Sequence, residues 1–318
     1  MQRSTPAWAV AVTLKRSLAR RKTSLDRVLA ILTLAPSAAA VSLFVYAFIA
    51  WTGFVSLTRW RGVIPDYAWA GLRNYVRLFQ HERFQTDLRN TVVFTAVFLT
   101  GCLVVGFLLA VLLDQRVAGE GLFRTVFLAP MAVSFVVTGV VWRWMLNPGT
   151  PETGYVGINL LLDKIGLGLL KSGWYTDPRI GIKAVALAAA WQMSGYVMAL
   201  YLAGLRGIPE ELREAARVDG ATEIQIYRRV IIPLLRPITL GAVIVLGHIS
   251  LKVFDLVAAM TGSGLGFSTD VPAYFMWDTT FRGNNFNQGA AIAVVLLVMV
   301  AVLIVPYLIY TMRSEAEI

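Results

Sequence analysis

TVVFTAVFLTGCLVVGFLLAVLL, residues 91–113, runs for 23 positions without a charged group. A membrane crossing takes about 20 apolar residues, so this run is long enough to span hydrocarbon. In lipid it must be helical, because every backbone N–H and C=O there needs an internal partner. Five further apolar stretches surround it, at 28–57, 122–146, 182–205, 234–259 and 289–312, each bounded by polar or Gly/Pro-rich sequence. They are continuous rather than short and alternating, which argues against a closed barrel. The whole chain agrees with these segments. Of its 318 residues 57% are hydrophobic and 15% charged, with a mean hydropathy of +0.64, whereas soluble domains carry about 25% charged residues. Disorder needs the opposite composition. One Cys and two His leave no disulfide framework and no Cys/His zinc cluster within the chain. The expected fold is an all-α integral membrane protein with about six transmembrane helices.

Orientation follows from charge. Residues 1–27 form a basic segment containing Lys15, Arg16, Arg20, Arg21, Lys22 and Arg27. The apolar run after it passes Ala38-Ala39-Ala40, which imitates a signal cleavage site, and continues far beyond a signal core. It reads as a retained first span with the N-terminus in the cytoplasm of a multi-pass inner-membrane protein. Alternation from there puts 16 Lys and Arg on the inner side against 11 outside, the sign the positive-inside rule expects. The 58–90 segment then lies outside, 91–312 is the transmembrane core, and 313–318 is a tail. The net charge of +10 fits orientation and contact with anionic lipid.

One inner segment differs from its surroundings: GIPEELREAARVDGATEIQIYRRVIIPLLRP, residues 207–237. Pro209 suits the first helical turn, and Glu210 and Glu211 complement the positive helix end. Leu212, Ala215, Ala216 and Asp219 fall on one helical face, and Gly220 stops the helix. A second short helix follows, with Pro233 and Pro237 kinking the entry to the next span. By charge alone this helix–Gly–helix elbow is either a docking element or a re-entry loop edged with snorkelling arginines.

EAARVDGATEIQIYRRVIIP, residues 214–233, resembles the EAA loop of ATP-binding-cassette (ABC) importer permeases. That pattern reads EAA, three residues, G, nine residues, I-x-L-P. Glu214, Ala215, Ala216, Gly220 and Pro233 match it; Val230 and Ile232 replace one apolar residue by another. Asp219, Ala221, Thr222, Gln225 and Tyr227 are similar to the carbohydrate branch. GLRNYVRLFQHERFQTDLRNTVVFT (71–95), WRWMLNPGTPETGYVGINLLL (142–162) and AWQMSGYVMALYLAGLRGIPEEL (190–212) resemble maltose-type permeases, so the likeness covers most of the chain. STDVPAYFMWDTTF (268–281) is similar to the glucose/mannose-type subgroup, while Thr261-Gly262-Ser263-Gly264-Leu265 departs from the usual TGGGP. The resemblance implies an ABC type I importer transmembrane domain with a cytoplasmic coupling-helix elbow over 207–233. It implies ATPase coupling through Glu214, Ala215, Ala216, Asp219, Gly220, Ala221 and Pro233. It further implies four partners: a second permease, a cytoplasmic ABC ATPase dimer, an extracytoplasmic sugar-binding protein and membrane lipid.

No Lys in the chain follows a Gly, so no P-loop can form around one. ATP and Mg therefore belong on the partner ATPase, and no cofactor is expected here. Polar groups within spans are costly and point to function. His248, Lys252 and Asp255 are spaced to share one helical face; Lys252 and Asp255 either line a wet pathway or neutralise each other as glue between helices. Trp191, Gln192, Ser194 and Tyr196 mix rings with hydrogen-bonding groups in the way sugar walls do, or pack as ordinary core. Cys102 reads as a small packed side chain. Asn284, Asn285 and Asn287 read as turn formers ahead of contacts for an external protein. The rival to an ATP-driven sugar importer is an ion-driven secondary transporter using Lys252 and Asp255 as a relay. An intramembrane hydrolase finds no paired carboxylates, Ser–base pair or HExxH motif.

Overall fold

A computed structural model of the chain describes residues 29–115 and 118–316, with side chains up to residue 309. The basic segment 1–27 and the last two residues of the 313–318 tail lie outside the described residues. The chain divides into two compact units, one ending at Phe54 and one starting at Val55. The 58–90 segment belongs to the second unit.

In the first unit, helix α1 (Leu29–Ser56) presents an almost continuous apolar surface. The hydroxyls of Thr33, Ser37 and Thr52 turn onto the helix's own carbonyls. Thr33 Oγ1 donates to Leu29 O at 2.7 Å and Ser37 Oγ to Leu34 O at 2.8 Å. A helix facing lipid has to satisfy its polar groups in this way.

The second unit is built around two long helices, α2 being the short helix Arg73–Gln80 that precedes the first of them. Helix α3 (Glu82–Asp114) packs along α7 (Gly181–Gly207), and α7 is buried over most of its length. Lipid tails are as apolar as Leu, so helices there associate through close packing of small residues. Here a Cβ on Gly106 would come within 2.7 Å of Val197 Cβ, and one on Gly101 within 3.0 Å of Ala190 Cβ. Phe94 and Phe98, stacked at 5.6 Å, fill the wider part of the seam.

Between α3 and α7 the expected 122–146 span is not one helix. Helices α4 (Glu120–Ala132) and α5 (Phe135–Met145) meet at 100°. Pro130 removes a donor near the end of α4, Val133 is extended, and Ser134 caps α5 by accepting from Val137 N at 3.3 Å. A short helix α6 (Gly157–Lys164) follows α5. After the elbow helices α8 (Glu210–Val218) and α9 (Glu223–Leu234), the chain bends by 63° into α10 (Arg236–Leu251). A π-helical turn at Tyr227–Ile231 precedes Pro233 at this bend.

The expected 234–259 span also ends early. Helix α10 stops at Leu251, Lys252 to Phe254 leave helical geometry, and α11 (Asp255–Met260) lies against α5. Ser250 Oγ bonds back to Gly247 O at 2.8 Å, an interaction that competes with the helical ladder. A glycine turn with Gly262, Gly264 and Gly266 at positive φ leads to α12 (Pro272–Trp277), and α13 (Phe286–Ala316) ends the described chain.

The α3–α7 contact generates the first prediction. Gly106→Leu drives a side chain into Val197 and should lower unfolding stability in detergent by about 1–3 kcal/mol, measured by thermal unfolding. Leu108→Ala, on the exposed side of α3, serves as the control and should change the midpoint much less.

Candidate functional site

The elbow is shaped by local chemistry. At the end of α8, Gly220 takes φ +78, Gly220 N donates to Arg217 O and Ala221 N donates to Ala216 O, both at 3.0 Å. These are the two bonds of a Schellman stop, which needs a left-handed residue just beyond the helix. Helix α9 then opens with a capping box: Gln225 N donates to Thr222 Oγ1 at 3.4 Å and Thr222 N to Gln225 Oε1 at 2.8 Å.

Glu214, Ala215, Asp219 and Gly220 are exposed on this elbow, and Val218 and Ile224 stand out at 86% and 80% exposure. Ala216 and Ala221 are instead half-buried against the transmembrane core. The Leu212/Ala215/Ala216/Asp219 face expected from periodicity is thus divided between an inner and an outer side. Pro233 is half-buried at the bend into α10.

Three ion-paired arginines lie in and beside the elbow. Arg213 reaches Asp114, the last residue of α3, at 3.1 Å, with both side chains mostly buried. Its guanidinium also donates to Leu205 O at 3.3 Å. Arg217 bridges Glu223 at 2.8 Å and Glu210 at 3.5 Å, joining α8 to α9 across the glycine. The Glu223 hydrogen bond raises the Arg217 pKa above its ordinary value. Arg206, at the end of α7, pairs with Glu120 at the start of α4 at 2.7 Å. These groups border a polar cleft of about 1390 Å³. Sequence reasoning missed Arg213, Asp114, Arg206 and Glu120 as partners, because each pair joins positions far apart in the chain.

The polar residues of the spans are arranged differently from the expectation. Lys252 and Asp255 form no ion pair; the helix breaks between them, so their three-residue spacing no longer places them on one face. Both are exposed on this chain. His248 is half-buried, and its Nδ1 has no hydrogen-bond partner. Gln192 is buried and its Nε2 donates to Val133 O at 2.6 Å, which satisfies the carbonyl freed where α4 meets α5. Trp191 is exposed and meets Trp142 edge-on at 5.8 Å, and Tyr196 is half-buried. Ser194 Oγ turns back to Trp191 O at 3.1 Å. Among the described residues no hydrogen bond or ion pair joins Trp191, Tyr196, His248, Lys252 and Asp255 to one another.

At the opposite end of α3, Arg83 bridges Asp270 at 2.6 Å and Asp278 at 2.7 Å and lies over the Phe275 ring at 4.4 Å. Burial pushes the Asp270 carboxyl above its ordinary pKa, opposed by the Arg83 charge. Asn90 Nδ2 holds the turn by donating to Phe267 O and Asp270 O at 2.8 and 2.9 Å. Asn284 takes positive φ in the turn before α13, whereas Asn287 is buried in the first turn of α13, where its Nδ2 donates to Asn74 Oδ1 at 3.2 Å.

Residues 102–313 match the family model described as binding-protein-dependent transport system inner membrane component. A probable ABC transporter permease protein of Pyrococcus horikoshii is 44% identical, over 90% of this chain and 96% of its own. A xylose/arabinose import permease protein of Haloferax volcanii is 38% identical, over 86% and 85%. The fold matches a chain from a bacterial ABC transporter that imports the acidic polysaccharide alginate, with a TM-score of 0.73, 22% identity, and coverage of 89% of this chain and 96% of that one. An exposed elbow on a bundle of apolar helices, together with these matches, identifies the chain as a member of the binding-protein-dependent transport system inner membrane component family, the permease subunits of ABC importers.

Proposed function

We propose that this chain is one transmembrane half of an ATP-driven carbohydrate importer, with the N-terminus and the elbow on the cytoplasmic side. The observation that carries the reading is the elbow. Glu214, Ala215, Val218 and Ile224 stand free of the chain's own packing, while Arg213 and Arg217 fix the two short helices behind them. Exposed apolar groups beside a carboxylate suit a cleft on a soluble partner, and the family supplies one in the cytoplasmic ABC ATPase dimer. Ala216 and Ala221 then act on the inner side, transmitting movement to the core, and Pro233 sets the angle at which α9 feeds α10. ATP and Mg bind the ATPase, and this chain needs no cofactor.

A second permease completes the pathway, and an extracytoplasmic binding protein delivers substrate. The exposed Trp191, Lys252 and Asp255, with the partly exposed Tyr196 and His248, supply this chain's share of the wall. Gln192 contributes by holding the helix break behind Trp191, not through its amide nitrogen. Sugar as substrate rests on the relative named for xylose and arabinose, on the likeness to the alginate importer, and on the aromatic wall. The ion-driven alternative relied on a relay through Lys252 and Asp255, and these two are neither bonded to each other nor to His248.

In proteoliposomes holding the complete transporter, loaded with ATP and given binding protein and labelled sugar outside, Glu214→Ala should reduce ATP-driven uptake about tenfold, equivalent to ~1.4 kcal/mol of lost coupling. Uptake at the unmodified rate with the ATPase attached would sink the coupling reading. Gly220 separates backbone strain from contact, because a Cβ there meets nothing within 4 Å. Gly220→Asn, which tolerates the left-handed region, should retain transport, and Gly220→Val should lose it.

The Arg213–Asp114 pair predicts a distinct signature. Arg213→Ala and Asp114→Asn should each raise ATP hydrolysed per sugar moved. The double variant should be no worse than either single one, a coupling of about 0.5–3 kcal/mol in a double-mutant cycle. Additive losses would mean that the two residues act independently.

A further inference from the structure

We infer that helix α2 is an interfacial helix that binds anionic lipid headgroups at the end of the bundle opposite the elbow. This rests on the membrane-spanning reading of α3 and α13 alone and not on the identity of the substrate.

The first argument is position. Asn74, buried in α2, donates through Nδ2 to Ser56 O and Thr58 O at 2.8 Å each and accepts from Asn287 Nδ2 at 3.2 Å. Leu78 is fully buried in a cluster with Phe84 of α3, Phe275 of α12, and Ala291 and Ile292 of α13. Ala291 and Ile292 stand just inside the apolar run of α13, which begins at Gly289. Helix α3 is 33 residues long, about 50 Å, and exceeds the hydrocarbon thickness of about 30 Å. Of its charged residues, Glu82, Arg83, Asp87 and Arg89 precede the 91–113 run and Asp114 follows it. The boundary between hydrocarbon and headgroups therefore crosses the level of α2.

The second argument is the face that α2 leaves open. Leu72, Val76 and Phe79, at steps of four and three residues, form one ridge and are 69%, 54% and 50% exposed. Within the described residues they stay largely open, Phe79 meeting the Phe84 ring edge-on at 5.5 Å. Arg73 and Arg77 lie next to this ridge, both exposed, and neither has a carboxylate within 4.0 Å among the described residues. An apolar ridge edged by unpaired arginines has the chemistry of a helix lying in the interface plane, with its side chains in the acyl boundary and its guanidiniums on phosphate. The segment before it adds aromatic groups of the kind that gather at this depth. Trp60 stacks on Phe286, the first residue of α13, at 4.8 Å, and Trp69 is exposed. An acidic protein surface satisfies the arginines equally well, but it gives no reason for the ridge to be held level with the ends of two spanning helices.

The test uses the full chain in lipid nanodiscs. Cys102 is replaced by Ser, and a nitroxide is attached at Val76→Cys, with Leu169→Cys, fully exposed in a loop, as the aqueous reference. The label at 76 should be shielded from a water-soluble relaxation agent and accessible to oxygen, more so in phosphatidylglycerol than in phosphatidylcholine. Arg73→Gln and Arg77→Gln should each weaken the anionic-lipid preference about fivefold, with unchanged thermal unfolding showing that the fold is kept. A label at 76 as water-exposed as the reference would overturn the assignment. So would shielding that appears only on adding binding protein, or shielding equal in both lipids and unchanged by the arginine variants.

Discussion

Several irregular points in this structure obey one constraint: a backbone carbonyl released inside or beside the membrane must find another donor. Buried side-chain amides provide it. Gln192 caps Val133 O where α4 turns into α5, Asn90 takes Phe267 O and Asp270 O, Asn74 takes Ser56 O and Thr58 O, and Asn159 takes Ser172 O at 2.8 Å. A carboxamide carries two N–H donors and no charge, so it can hold two carbonyls without the desolvation cost of a cation. The breaks are therefore joints whose carbonyls stay bonded, and the helices between them can move as rigid pieces.

That division explains why the two ends of the bundle are fastened differently. At the end carrying α2, Arg83 is locked between Asp270 and Asp278, with Asp270 fully buried, and amides reinforce the turn. At the elbow end, the Arg217–Glu223 and Arg206–Glu120 pairs are much more open to water. Exposed pairs contribute little and re-form easily, whereas a buried pair is costly to split. Rearrangement of these open pairs can take up part of a load applied to the elbow, while the buried Arg213–Asp114 pair stays joined and the far end holds its shape.

How much of this was legible follows from the range of each interaction. The apolar runs located the spans because lipid acts on each residue separately. The elbow was readable because its Schellman stop at Gly220 and its capping box at Thr222 are made within a few residues. The bend between α4 and α5 was not read from Pro130 alone, since a proline near a membrane helix end is compatible with continuation until a partner such as Gln192, 59 positions from Val133, stabilises the break. Lys252 and Asp255 misled for the same reason: spacing implies a shared face only while the helix continues, and it ends at Leu251. Asp114 and Arg213, 99 residues apart, leave no local trace of their pairing.

The Arg213–Asp114 contact also bears on which helix carries force. Of the described elbow pairs it is the best shielded from water, and Asp114 terminates a helix that runs unbroken from Glu82. Helix α7 enters the elbow directly through Gly207 and Ile208, but its other neighbours there are the broken α4 and the bent α9–α10 pair, which can yield at their joints. A displacement of α8 that reaches α3 passes along one rigid rod closely packed against α7 through Gly101 and Gly106. The α3–α7 pair is therefore the part of this fold able to convert a movement at the elbow into a movement of the α7 surface that carries Trp191, with the jointed helices accommodating around it.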